Sequence, residues 1–316
     1  MDEWDGNSAG FGTDVGVQVF RAGEALAVGE VSRWGLAAHH RRLLPGVWTP
    51  RGCTPSLEDR IGAAWLWSER QGIVYGLAAS AMHGARWVAD DIPIELNVAR
   101  HKSPAGVVVR RDTLLGDEVT SLGGFPVTSV ARTAFDLARR GPRGVALERL
   151  DALARATQFA AADVLAVYDA HPKVRGRRRI PGLLRFVDAG AQSPKETWLR
   201  LVLIEAGFPR PQTQIPVLTP DGYPRYYLDM GWPEFMVAVE YDGEQHRTDP
   251  AQYRSDVLRS EYIDGLGWRR IRVLAGHRRE DVVARVVAAG VPRDFIECAT
   301  WQAATRTKPA PAGTRR

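Results

Sequence analysis

The chain has 316 residues, with 42 Lys+Arg against 37 Asp+Glu and a formal charge of +5. Hydrophobic residues make up 45% and charged residues 25%, which excludes collagen, disorder throughout and a disulfide scaffold. Cys53 and Cys298 are too few for a disulfide framework or a structural zinc site, and no apolar run approaches the roughly 20 residues that span a bilayer.

The length suggests two or three domains, and the cysteine usage suggests a reducing cytoplasm. The acidic, Gly-rich start shows no signal peptide, and no membrane partner is expected. The charge is uneven: residues 1–170 hold 18 basic and 20 acidic residues, and residues 171–316 hold 24 and 17. A basic C-terminal half hints at a polyanion partner such as nucleic acid. A general taste for arginine explains it too, since only four basic residues are lysine.

Residues 1–14 read as a flexible leader and 15–170 as one α+β unit. Within 17–50, two short helices followed by R-R-L-L-P-G-V-W-T-P (41–50) match the order of a winged helix-turn-helix, although a small helical bundle reads alike. Helices follow at 57–71 and 76–84, strands at 94–98 and 107–110, and helices at 127–137, 145–156 and 160–170. His83 and the adjacent His39 and His40 read as ordinary helix residues. Residues 171–190 open with H-P-K-V-R-G-R-R-R and read as a basic linker, and 293–316 as a disordered tail.

The segment 191–292 carries the chemistry. Ser193-Pro194-Lys195-Glu196 opens a helix, with Glu196 at a capping-box position. Gly207 closes that helix, and strands are expected at 214–218, 226–230 and 236–242. Glu240 and Asp242 share one side of their strand, and a hairpin register sets Asp229 beside Glu240. Three carboxylates at one sheet end repel each other unless a hard cation neutralises them. Asp229, Glu240 and Asp242 are therefore the expected ligands of Mg2+, with Mn2+ as a substitute. A metal-activated water would hydrolyse a phosphodiester, with His246 as proton donor or acceptor or as a phosphate contact. A helix at 253–263 places Asp256 and Arg259 at i,i+3, and a strand at 267–274 carries Arg269, Arg270 and Arg272. Those four arginines are candidate nucleic-acid contacts. Trp232, Tyr241 and Trp268 read as core more readily than as stacking platforms.

Residues from about 190 to 290 resemble the very-short-patch-repair-like endonuclease domain, a branch of the restriction-endonuclease-like PD-(D/E)XK superfamily. The resemblance rests on 193–200, 227–229, V-A-V-E-Y-D-G-E-Q-H (237–246), the helix with Asp256 and Arg259, and G-W-R-R-I-R-V (267–273). It implies an α/β fold with a central mixed sheet flanked by helices. It also implies Asp229 and Glu240 as metal ligands, Glu196 as the helix acid, and Asp242 and His246 as completing the catalytic site. The superfamily lysine is replaced by Asp242, which puts catalysis in doubt. The very-short-patch-repair branch lacks that lysine too and uses histidine. Lys195 is a further candidate for the missing cation.

Residues 20–170 resemble the AbiEi antitoxin family through R-R-L-L-P-G-V (41–47), A-A-S-A-M-H-G (78–84) and V-T-S-V-A-R-T-A-F-D-L (127–137). That family binds DNA through a winged helix and represses its own operon. Two readings follow for this bacterial-type chain. The first is a magnesium-dependent DNA endonuclease in repair or defence. The second is a non-catalytic DNA-binding regulator or antitoxin, with a toxin partner and a homodimer both open. RNA cleavage is a third reading.

Overall fold

A computed structural model describes residues 19–99, 102–242 and 250–305, with the backbone alone at 250–253 and 304–305. It is a mixed α/β structure that divides into two compact units, 1–137 with 156–171 and 138–155 with 172–316. The chain thus passes between units more than once, the last time after His171.

The first unit begins with β1 (Phe20–Arg21), α1 (Ala22–Ala27), α2 (Arg33–His39), β2 (His40–Leu44) and β3 (Val47–Pro50). These strands form an antiparallel sheet in the order β1-β3-β2. Pro45-Gly46 makes the tight turn between β2 and β3, with Gly46 at φ +79° supplying the left-handed residue. Ser32 caps α2 by accepting from the Gly35 N–H at 3.0 Å. α3 (Leu57–Trp67) starts on a full capping box between Ser56 and Asp59.

β4 (Ile73–Tyr75), α4 (Gly76–Met82), β5 (Ile94–Asn97), β6 (Val107–Arg110), β7 (Val119–Leu122) and β8 (Phe125–Thr128) follow. The five strands form a mixed sheet in the order β6-β5-β4-β8-β7. The helix expected from residue 127 begins later, because 125–128 is strand and α5 (Val130–Arg139) starts after Ser129. Ile61, Ala64, Val74, Ala78, Leu96 and Val127 are fully enclosed in the core of this unit. α6 (Arg143–Thr157) and α7 (Ala161–Ala170) complete the described helices up to His171.

Arg132 on α5 has no exposed surface, yet it is the centre of a polar network. It donates to Asp136 at 2.7 Å, to Glu118 at 2.6 Å, to the Tyr75 hydroxyl at 3.3 Å and to the Thr113 carbonyl at 2.9 Å. His171 Nε2 stands 2.6 Å from Glu118. His171 is therefore a buried network member and not the start of a solvated linker. Burial alone pushes the Arg132 guanidinium down, but Asp136 and the Tyr75 phenol outweigh it and raise it.

The second unit holds α8 (Ile180–Leu184), α9 (Pro194–Glu205), β9 (Gln212–Leu218), β10 (Pro224–Trp232), β11 (Val237–Asp242), α10 (Pro250–Gly265), β12 (Arg269–Leu274), α11 (Arg279–Ala288) and α12 (Ile296–Thr305). Its sheet runs β12-β11-β10-β9, antiparallel except for the parallel β11–β12 pair. This sheet is mixed, and helices precede, interrupt and follow its strands along the chain. Gly207, at φ +90°, ends α9 with the Phe208 N–H returning to the Leu203 carbonyl and its own N–H to Ile204.

Leu199, Leu203, Met230, Trp232, Val239, Ile271 and Val282 pack as one cluster, and Ile215, Leu228, Ala238 and Ile263 as another. The expected disordered tail is partly helix: Trp301 on α12 is buried, packs edge-on against Phe186 and donates to Glu205 at 3.0 Å. No described helix is long and apolar enough to cross a membrane.

Removing the Arg132 cation would take an ion-pair partner from each of the buried acids Glu118 and Asp136. Arg132→Met is expected to cost on the order of 3–5 kcal/mol of stability. A urea titration checks this, and a loss below about 1 kcal/mol contradicts the role given to Arg132.

Candidate functional site

The acidic residues of the second unit meet only in part. Met230 pairs with Val239, so the next step of the register brings Asp229 opposite Glu240. Asp229 Oδ2 accepts the Tyr241 N–H at 2.9 Å. Glu196, in the first turn of α9, is close enough to act on Asp229 electrostatically, as is Glu240. Burial, then Glu196 and Glu240, push the Asp229 carboxyl up to about 7 against the pull of the Tyr241 N–H and Arg259.

Glu196 is explained as a cap. Its Oε2 accepts from the Gln192 N–H at 2.9 Å and its Oε1 from the Ser193 hydroxyl at 3.0 Å. Ser193 in turn accepts from the Glu196 N–H at 3.2 Å. Burial raises the Glu196 carboxyl, and those two hydrogen bonds offset part of the rise.

Glu240 is 5% exposed and held by guanidiniums. Arg259 Nη2 donates to Glu240 Oε1 at 2.6 Å and to the Tyr227 carbonyl at 2.8 Å. Arg270 Nη1 lies 3.5 Å from Glu240 Oε2, and Arg270 Nε donates to Asp264 at 3.1 Å. Two arginines thus bring positive charge to Glu240 at this sheet end.

Asp242, two residues beyond Glu240 on β11, faces Arg272 at 3.8 Å. His246 lies outside the described residues. For Mg2+ or Mn2+ the donor set among the described residues is only partly open. Glu196 is engaged by its cap and Glu240 Oε1 by Arg259, whereas Glu240 Oε2 has no hydrogen-bond partner among the described residues, and burial raises the Asp229 carboxyl to about 7. Among the described residues, no group of three or more His, Cys, Asp or Glu is placed to hold a metal ion.

The four candidate nucleic-acid arginines also need revision. Arg259 and Arg270 are turned to Glu240, and the Arg270 side chain is 7% exposed. Arg259 takes Glu240 as its ion-pair partner and not Asp256, because Glu240 is buried and its charge needs compensation more. Arg269 stays on the surface with a weak contact to the Ala288 carbonyl, and Arg272 also stays exposed beside Asp242. Lys195 is close enough to Glu148 to act on it electrostatically. Trp232 is core, donating to the Pro209 carbonyl at 3.0 Å.

A second surface stands on α2 of the first unit. Only Leu36 of that helix is buried, while Arg33, Trp34 and His39 are exposed, Trp34 at 74%. Trp34 meets the His39 ring edge-on at 5.6 Å. Arg42 is exposed on the following hairpin, and Arg51 donates to the Ala37 carbonyl at 2.8 Å, tying β3 to the end of α2. This is a short polar-faced helix beside a hairpin, the layout that reads a DNA groove in winged helices.

Sequence reasoning missed the Asp151–Arg200 pair. Arg200 Nη2 donates to Asp151 Oδ2 at 2.5 Å, and Thr197 Oγ1 donates to the same oxygen at 2.8 Å. Arg200 is fully buried within a run of apolar residues on α9, a signal that a paired acid lay elsewhere. Burial pushes Asp151 up to about 6 despite Arg200.

Comparison with known proteins gives two findings. Residues 73–186 match the family described as AbiEi antitoxin C-terminal domain. The uncharacterized proteins Rv2248 and MT2308 of Mycobacterium tuberculosis are each 29% identical over 236 residues, covering 72% of this chain and 83% of the relative. No solved structure matches the chain. None of these findings supports the expected endonuclease domain.

Asp229 supplies a pH prediction. Its carboxyl, ordinarily near 3.8, titrates near 7 in the folded chain. Between those values folding takes up a proton, so stability falls as pH rises through the window. Asp229→Asn keeps an oxygen for the Tyr241 N–H and removes the charge. Its gain should be near zero at about pH 4 and reach on the order of 2–4 kcal/mol above about pH 7. Denaturant titrations at several pH values check this, and a gain that does not grow with pH contradicts it.

Proposed function

We propose that this protein is a DNA-binding regulator of the antitoxin kind, working in a bacterial toxin–antitoxin or defence system, whose C-terminal sheet does not hydrolyse DNA. The observation that carries the reading is the match of residues 73–186 to the AbiEi antitoxin C-terminal domain, directly behind the β1-α1-α2-β2-β3 arrangement. The exposed face of α2 would enter the major groove, with Arg33 and Trp34 against base edges or backbone and Arg42 on the hairpin beside it. A toxin would be the protein partner, and a homodimer would suit a two-fold operator.

The hydrolytic reading keeps one supporting observation, the gathering of Glu196, Asp229 and Glu240 at one sheet end. It is opposed by Arg259 and Arg270, which neutralise Glu240 without any metal. A DNA-binding role needs no such ion.

The test is a gel shift on the DNA upstream of the protein's own gene, run in a chelator. Wild type should bind it in preference to unrelated DNA, and Arg33→Ala/Trp34→Ala should bind about tenfold or more weakly. Co-expression should relieve growth arrest caused by the neighbouring gene's product. Equal binding of unrelated DNA by wild type and variant, with no relief of arrest, would sink the reading.

A further inference from the structure

Two stretches of the second unit carry cations and no acids. Residues 138–147 contain Arg139, Arg140 and Arg143, and residues 172–187 contain Lys173, Arg175, Arg177, Arg178, Arg179 and Arg185. They are separated in sequence, but the fold lays one on the other. Arg179 donates to three carbonyls at the end of α5 and beyond, those of Ala138 at 2.6 Å, Arg140 at 2.7 Å and Gly141 at 2.7 Å. A guanidinium there closes open helix carbonyls and suits the negative end of the helix dipole.

Gly176 lies at φ +85° directly over Arg139, where a Cβ would collide with the Arg139 carbonyl. Glycine is what permits the close approach. The second stretch is thereby pinned against the first.

The result gathers like charges. Arg143 is the first residue of α6, where a cation opposes the helix dipole, and no acid occupies that first turn. Arg143 and Arg179 are within electrostatic reach, and burial together with Arg143 lowers the Arg179 guanidinium. Lys173, Arg175 and Arg178 are exposed and Arg143 is half-buried. None of these four forms an ion pair among the described residues. Concentrated, uncompensated charge of one sign costs folding energy, and a bound polyanion removes that cost. An arginine-rich composition by itself would not bring two acid-free stretches together.

We infer that this cluster is a contact surface for the phosphate backbone of double-stranded DNA, giving affinity without sequence preference and separate from the α2 surface. It requires that the protein meet DNA but does not depend on how α2 reads it.

The experiment measures binding of the full chain to a labelled duplex of arbitrary sequence by fluorescence anisotropy across a salt series. Wild type is compared with Arg143→Ala/Arg175→Ala/Arg178→Ala and with Arg33→Ala/Trp34→Ala. Each phosphate contact contributes about 0.9 to the slope of log affinity against log salt. The triple variant should have a slope shallower by about 2–3 and should bind about tenfold or more weakly at low salt, for every sequence alike. The α2 variant should keep most of the slope and lose sequence preference. Arg175→Ala/Arg178→Ala changes exposed side chains only and serves if the triple variant melts early. A triple or double variant with the wild-type slope overturns the inference, even if an acidic protein proves to bind the cluster. An α2 variant with unchanged sequence preference counts against the proposed function alone.

Discussion

A carboxylate withdrawn from water keeps its charge only beside a cation, and in this chain that cation is arginine. Arg132 serves Glu118 and Asp136 in the first unit. Arg200 serves Asp151 in the second, and Arg259 with Arg270 serves Glu240. Asp229 has no guanidinium of its own within hydrogen-bonding distance among the described residues and accordingly titrates far above an ordinary aspartate. The core of each unit is closed around such a pair, so that helices α5 and α9 are fixed by charge as well as by packing.

This pairing also sets what the C-terminal sheet can do. Its order of elements and the meeting of Glu196, Asp229 and Glu240 would suit a metal-dependent nuclease. The carboxylate needed most is, however, already neutralised. Where the pairing is absent, its absence is informative: the cluster around Arg143, Arg175 and Arg178 has cations without acids. The two features set Glu118, Asp136, Asp151 and Glu240, which arginine satisfies internally, against Arg143, Arg175 and Arg178, which form no ion pair among the described residues. The proposed regulator, which would bind DNA and leave it intact, fits this division, and so does the antitoxin-type match at 73–186.

Much of this was legible in the sequence. Pro45-Gly46 announced the hairpin, Ser193-Pro194-Lys195-Glu196 announced α9, and the apolar run before Glu240 announced β11 beside Asp229. Side-chain direction was not legible. Strand alternation put Asp242 on the side of Glu240, but it did not show that Arg272, across the parallel ladder, stands beside Asp242. Helix spacing offered Asp256 to Arg259, yet a buried acid on a neighbouring strand outcompeted an exposed one on the same helix. His171 and the arginines after it read as a linker because a polar run has no periodicity. Its anchoring depends on partners some 40 residues away in sequence, such as Ala138 for Arg179 and Arg132 for His171.

The central claim is that arginine, and not a metal ion, balances Glu240 of the C-terminal sheet, so that the proposed DNA-binding regulator does not cut DNA. Supercoiled plasmid incubated with purified protein in Mg2+ or Mn2+ tests it most directly. The account predicts that wild type leaves the plasmid supercoiled, no differently from an Asp229→Ala/Glu240→Ala variant. Nicking by wild type that is lost in that variant would contradict it.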